Sequence, residues 1–447
     1  MTMTSQVAEN LHSWFGLARP QGGPRWLQDL RERGASRFAA LGFPSVRDEE
    51  WRFTNVAPIA TAEFLQPDAV VPVTEEELGR LIYADAPYRL VVVNGRYRPE
   101  LSRVKDAPAG LRAGSLAAAV TGELQADTEI AQRYLGQLAD IGGRAFDALN
   151  TSRLEDGAYI YVTEGAIVDR PIQVMFVSTG ESAGQPTVSH PRLLIVTGAN
   201  AQVRIVETYV GTGKRYFANA LTEVFVGENA TVDHYKVQEE SLEAFHVASM
   251  HVHTARSANF SSHSFTLGGR IVRNDAIVIL DGEGAECTLN GLYLADGDRL
   301  VDNHTTIDHA KAHCPSHEIY KGILGGRARA VFNGKIIVRP DAQKTDAKQT
   351  NRALLLSDSA SINTKPQLEI FADDVKCTHG AAIGQLDEDA IFYLRARGLT
   401  FADARDLLIH AFAGEILDRV KIDALKVVLE RELYTQLAKD LAEADAG

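Results

Sequence analysis

Between about residues 155 and 385 the chain reads as short apolar runs broken by small turns, and helical periodicity largely disappears. RLLIVTGANAQVRIV, EVFVGENATVDHYKV and IVILDGEGAECTL each spell strand, tight turn, strand. The turns resemble one another: GANA (198–201), GENA (227–230), ARSA (255–258), GEGA (282–285), GGRA (325–328) and SDSA (357–360). Their final alanines are spaced 29, 28, 27, 43 and 32 residues apart. Self-similarity at this period marks a stacked array. No crossover helix of ~12 residues fits between the turns, which excludes a doubly wound α/β fold. A hairpin sandwich is the competing arrangement. The quasi-regular spacing favours a mainly β chain with a parallel β-helix core over residues 151–385. Solenoids need caps at both ends, and residues 1–150 and 386–447 are placed to supply them.

Residues 1–150 are mixed. RWLQDLRERGASRFAALG predicts a helix closed by Gly42, and YRLVVVNGRYRPEL a hairpin turning at Asn94-Gly95. TEIAQRYLGQLADIGGRAFDALN predicts a helix with its weak point at Gly142-Gly143. From residue 386 the pattern is helical. Asp387, Glu388 and Asp389 favour a helix start, and Arg395 and Arg397 its end before Gly398. Thr400 and Asp403 make a capping-box-like start, followed by Ala404, Leu407, Leu408, Ala411 and Phe412 at amphipathic spacing. GEILDRVKIDALKVVLERELYTQLAKDL predicts a longer third helix, with Leu417, Val420, Leu425, Val428 and Leu429 apolar. Such stripes either cover the protein's own core or offer a docking surface to another protein.

The 447 residues carry a formal net charge of −13, which argues against a broad nucleic-acid footprint. MTMTSQVAENLHSWFGLARP has no basic segment leading into a continuous apolar one, so no signal peptide is expected. No run of ~18 apolar residues predicts a membrane span. The three cysteines, Cys287, Cys314 and Cys377, are an odd number without a CxxC pair, which fits a reducing compartment and hence a cytoplasmic location. GxxxxGK[ST], GxGxxG and GxSxG motifs are all missing, so neither nucleotide binding nor hydrolysis is expected of this chain.

Two stretches carry metal chemistry. DNHTTIDHAKAHCPSHE holds His304, His309, His313, Cys314, His317 and Glu318, several of them ligands of the kind zinc and iron take. A helix would align His309, His313 and His317, but Pro315 argues against one. A strand would put His309 and His313 on one face and Cys314 on the other. Loop histidines beside a buried cysteine remain the plainer reading. The second stretch, LEIFADDVKCTHG, reads as a strand with Asp373, Val375, Cys377 and His379 on one face. Thiolate and imidazole both ligate iron–sulfur clusters. Two ligands do not close a tetrahedral site, so the others would come from elsewhere in the chain or from a second chain. A strand end with a buried cysteine is the alternative.

The long stretch from FNGKIIVRPDAQ to FYLRARGL, residues 332–399, closely resembles the SufB/SufD family of iron–sulfur cluster assembly scaffold proteins. ADDVKCTHGA, RDEEWRFTNVAPI (47–59), the chain length and the few cysteines are similar to the SufD branch. The resemblance implies a right-handed parallel β-helix between an N-terminal helical region and a C-terminal helical domain. It implies a scaffold subunit without turnover, paired with a SufB-like protein through β-helix edges. A SufC-like ABC-type ATPase would dock on the C-terminal helices, at residues such as Thr400, Leu407, Leu408 and Phe412. Cys377 and His379 would then be ligands for a transient iron–sulfur cluster or iron, completed by the partner. Reduced flavin is linked to such complexes, with no residue here assigned to it, and ATP would be handled by the partner alone. An isolated chain is expected to pair with itself through the same exposed edge. Two other classes compete: a self-contained metal-binding solenoid using His309, His313, Cys314 and His317, and a β-helix polysaccharide lyase or hydrolase, for which Asp296, Asp298 and Asp302 are too dispersed.

Overall fold

Two parallel sheets wind past one another along most of the chain. The computed structural model describes residues 20–67, 73–79, 82, 86–122 and 125–444, without the side chains of 125 and 437–444. The stretch read for a signal sequence lies outside the described residues, apart from Pro20. In the first sheet the neighbours run Arg96–Tyr97, Tyr88–Val93, Ile172–Ser178, Gln202–Gly211, Thr231–Glu239, Asn259–Thr266, Glu286–Ala295, Pro315–Leu324, Asp346–Leu355, Lys376–Gly384. The second runs from Leu111–Ser115 and Ala158–Val162 through Arg192–Thr197, Tyr216–Val226, Phe245–Thr254, Ile271–Leu280, Leu300–His309 and Arg329–Val338 to Ser361–Ile370. The chain crosses between the sheets at each turn, so each strand from Arg192 onward pairs in parallel with one a full coil earlier. The array is a β-solenoid, as the repeated turns predict.

Register explains why those turns look alike. Ala201, Ala230, Ala258, Ala285, Cys314 and Thr345 stack in one corner column, each immediately before a paired strand. All six are buried, because each fills the narrow inside of the bend. The residue before each has positive φ: Asn200, Asn229, Ser257, Gly284, His313 and Lys344 lie between 54° and 71°. Asn and Gly adopt this conformation most readily. The backbone N–H of each donates to the next corner, as from Gly284 to Ala312 O, His313 to Gln343 O and Lys344 to Asp374 O. The irregular spacing of 43 residues now has a cause. GGRA and SDSA belong to the opposite corner, and the turn that follows GEGA on its own corner is KAHC, with Cys314 in the alanine position.

The solenoid begins earlier than residue 151, since Tyr88–Val93 pairs in parallel with Ile172–Ser178. The Asn94-Gly95 hairpin forms as expected, with both residues at positive φ. Helix Arg25–Leu41 crosses helix Ala145–Ser152 at Gly34, where a Cβ would lie 2.8 Å from Ser152 N and 2.9 Å from Ala148 O. The helix expected across Gly142-Gly143 breaks sooner. Gln125–Tyr134 ends just before Gly136, at φ 75°, and a loop leads to Ala145. That loop is held by the buried Glu223 carboxylate, which accepts from the N–H groups of Gly136, Leu138 and Ala139 and pairs with Arg192.

Of the C-terminal helices Glu388–Ala396, Phe401–Leu417 and Asp423–Ala444, the second and third lie along the side of the first sheet, and the first packs on the second. Ile409, Ala413, Ile416, Leu425, Leu429 and Leu433 bury against its outward Tyr235, Val237, Phe265, Leu292 and Ile323. The second helix runs on to Leu417 and the third starts at Asp423, so GEILDRV does not open a single long helix. The buried stripe is also rotated from the expected one. Ala404 is buried, but Leu407 and Ala411 face solvent, Leu408 is half-buried, and Ile409 takes the inner position.

Candidate functional site

Ser361–Ile370 and Lys376–Gly384 end the two sheets, each with a ladder on one side only among the described residues. LEIFADDVKCTHG is therefore two strands rather than one. Residues 371–375 form the corner between them, where the corner column still needs a bend. Asp374 sits in that bend, its N–H donating to Gln343 Oε1 at 2.9 Å and its carboxylate paired with Lys344.

Past the bend, the expected side-by-side placement holds. Cys377 stacks on Ala347 and His379 on Gln349, and both lower residues are buried inward-facing positions. Cys377 and His379 thus point together into the end of the solenoid. With no rung above them, Cys377 is half-buried and His379 exposed. Helices Phe401–Leu417 and Asp423–Ala444 do not close this end, because they pack along the side of the first sheet. Phe371, 63% exposed, with Ile370 and Ile383, leaves the last coil's apolar residues open. Burial raises the Cys377 thiol above its ordinary range, a backbone hydrogen bond at Ala347 opposes this, and Asp346 adds to it. The resting side chain is a thiol that an approaching cation would convert to a thiolate.

The outer main chain of this edge is also unpaired among the described residues. Lys376 N–H donates back to Thr345 O. Strand alternation then turns the N–H groups of Cys377, His379, Ala381 and Ile383 outward. Below His379 the column continues through Gln349 to Glu318. Gln349 Nε2 donates to Glu318 Oε2 at 2.8 Å, yet burial pushes the Glu318 carboxyl up to about 7, against the lowering contacts of Thr305 and Gln349. A raised carboxyl stabilises the fold only while protonated, and this contribution fades as pH rises through about 7. Glu318→Gln is therefore expected to match the wild type below pH 4.5 and to exceed it by about 3 kcal/mol at pH 8.5. Urea midpoints of both proteins across that range test this, and an advantage that does not grow with pH refutes it.

The other sequence candidates are dispersed. His309 lies inside the solenoid with Nε2 3.0 Å from Ser316 Oγ. His313 occupies the positive-φ corner position, exposed. Cys314 is buried, its thiol donating to Gly282 O and Ala312 O, and His317 points outward from its strand. The strand expected through His309 and Cys314 is a corner. These four do not converge, and no group of three or more His, Cys, Asp or Glu able to hold a metal gathers among the described residues. His304 instead faces the outside of the second sheet, between Glu50 at 3.2 Å and Asp302 at 3.1 Å.

Of the proposed docking residues, Thr400 caps its helix, accepting from Asp403 N–H at 3.1 Å. Phe412 is turned to the solenoid, with Lys321 Nζ 4.5 Å above its ring and 2.8 Å from its carbonyl oxygen. Leu407 remains exposed, and the sequence reading missed three other exposed side chains of these helices. Phe392 is 74% exposed, and Tyr393 and Phe401 are also open. Their exposure depends on helix rotation, which the apolar spacing alone left two ways.

A solenoid with one open edge and side-docked helices matches known proteins over nearly its whole length. The family model for the SufBD core domain of SUF-system iron–sulfur cluster assembly covers residues 176–412, and that for the SufBD N-terminal region covers 20–174. The chain belongs to the SufB/SufD family and has a role in iron–sulfur cluster assembly. Within the family its relatives include proteins named SufD. The iron–sulfur cluster assembly protein SufD of Escherichia coli is 31% identical over 93% of this chain and 94% of its own. That of Bacillus subtilis is 24% identical over 97% and 100%. An iron–sulfur cluster assembly SufBD family protein of Synechocystis is 36% identical over 90% and 89%. No described helix is long and apolar enough to cross a membrane.

Proposed function

We propose that this chain is a non-catalytic scaffold subunit whose open edge pairs with the edge of a SufB-like protein. The observation that supports this reading is the Cys377–His379 pair on an unpaired terminal strand. The pair supplies two soft or borderline ligands, and the partner strand brings the others to the same place as the main-chain ladder closes. Iron or a nascent iron–sulfur cluster is the cargo. A SufC-like ATPase docks on the exposed Phe392, Tyr393, Phe401 and Leu407. The helix bearing Phe401 and Leu407 is bonded to the first sheet through Lys321–Glu415, and the loop that follows it through Lys421–Asp233. Movement of the ATPase subunits would thereby strain the edge and open the ligands to iron and sulfur.

Deleting the helices would bare the apolar face of the first sheet, so surface substitutions make the sounder test. The tagged full chain is co-expressed anaerobically with SufB-like and SufC-like proteins. Wild type is expected to capture both. Phe392→Glu with Leu407→Glu is expected to lose the ATPase and keep the SufB-like partner. Cys377→Ser with His379→Ala should keep both partners and lose at least about tenfold in bound iron and sulfide. Unchanged iron and sulfide in that last variant would sink the ligand assignment.

A further inference from the structure

The stretch RDEEWRF (47–53) has no role in the edge pairing proposed above, yet it crosses the outer face of the second sheet. It is anchored at two points. Phe43 and Trp51 both pack on Phe146, with ring centroids 5.7 and 5.3 Å away. The Arg273 guanidinium lies 4.3 Å over the Trp51 ring and donates to Glu50 O at 2.7 Å. Between the anchors the chain does not pack down on the sheet. A cavity of about 480 Å³ separates them, and Val46 and Arg47 stand exposed above it.

Ion pairs to the sheet hold the middle instead. Glu49 meets Lys365, and Glu50 meets His304. The first contributes little, because Glu49 is exposed. The second is built differently. His304 is 7% exposed, and its two ring nitrogens face two carboxylates: Nδ1 is 3.2 Å from Glu50 Oε2, and Nε2 is 3.1 Å from Asp302 Oδ1. Only the protonated ring carries a hydrogen on both nitrogens. A neutral ring serves one carboxylate and turns a lone pair to the other. Asp302 keeps Arg273 and Thr54 as partners in either state. The Glu50 carboxylate has no other ion pair among the described residues, so it is the one released. Asp275 and Arg273 face His304 from the neighbouring strand, and Arg144 pairs with Asp275. On the other side stand the uncharged Asn333 and then Lys365. Burial and Arg273 pull the His304 imidazole down, but Asp302 and Glu50 outweigh them and hold it above its ordinary value. An imidazole raised in this way lends its pairing in full below about pH 6.5 and loses it as pH rises through the raised value.

We propose that residues 44–50 form a latch on the second sheet, closed while His304 carries its second proton and open once that proton leaves. The latch does not depend on the edge pairing or the metal ligands. Limited trypsin digestion of the full chain tests it, read as the rate of cleavage after Arg47. Wild type and His304→Gln are compared at the same pH, so that the protease's own response cancels. At about pH 6 the variant is expected to be cut about tenfold faster than the wild type. At about pH 9 the wild type should have caught up, with the two rates within about twofold. Glu50→Ala, at an exposed position and so harmless to folding, should match His304→Gln at both. Equal rates for wild type and His304→Gln at about pH 6 overturn the proposal. So does Glu50→Ala cut as slowly as the wild type there. A gap as wide at about pH 9 as at about pH 6 also overturns it, since that marks lasting damage rather than a lost proton.

Discussion

Ala381→Pro leaves this protein folded and unable to pair through its edge. The Ala381 N–H points away from the neighbouring ladder, so proline there removes no internal hydrogen bond. It does remove one outward donor and puts a ring where a partner strand must lie. Capture of the SufB-like partner, and any self-pairing of the isolated chain, should fall by more than about tenfold. The thermal midpoint should stay near that of the wild type. Ala382→Pro is the control. Its N–H faces Asp346–Leu355, the strand with which Lys376–Gly384 pairs. It should therefore destabilise the terminal rung itself. Sedimentation and co-purification read both variants. If Ala381→Pro captured the partner as the wild type does, the open edge would not be the pairing surface.

Glu223→Leu should cost about 3–5 kcal/mol, because it leaves Arg192 charged in a dry interior. Both side chains have no exposed surface. Arg192 also donates to Asn150 Oδ1 at 3.0 Å and Thr151 Oγ1 at 3.3 Å, and Glu223 holds the 135–144 loop by three N–H groups. The single change therefore unpins the N-terminal helices as well as lowering stability. Adding Arg192→Met should recover part of the loss, since the pair is removed with its buried charge. Urea unfolding with limited proteolysis of the loop measures both effects. A loss under about 1 kcal/mol would mean that water reaches the pair.

The solenoid was legible because its corners repeat a chemical demand. A positive-φ residue followed by a small buried one leaves a trace in the letters, as in GANA and GENA. The same demand was met by His313 and Cys314, in keeping with the plainer reading of loop histidines beside a buried cysteine. Two metal-ligand residue types filled a turn position and an alanine position. Cys377 and His379 were legible as neighbours since strand alternation is local, although the bend at 371–375 was not foreseen. It is set by a hydrogen bond to Lys344, thirty residues earlier in the neighbouring coil. The anchoring of 46–53 was beyond local pattern, because Glu50 meets His304 across 254 positions of chain. Helix rotation was likewise undecided until Tyr235, Phe265 and Leu292 supplied the surface to be covered.

The two ends of the solenoid differ, and this asymmetry decides how far assembly can go. At the start, the short strands Arg96–Tyr97 and Leu111–Ser115 run antiparallel to their neighbours and finish the sheets in few residues. Short, irregular edges of this kind resist further addition. Ser361–Ile370 and Lys376–Gly384, at full length, form the end that the proposed pairing would use. A repeat protein receptive at both ends would grow head to tail into filaments. One with a single receptive end stops growing when that end is filled, so under the proposed pairing its assemblies would hold two solenoids.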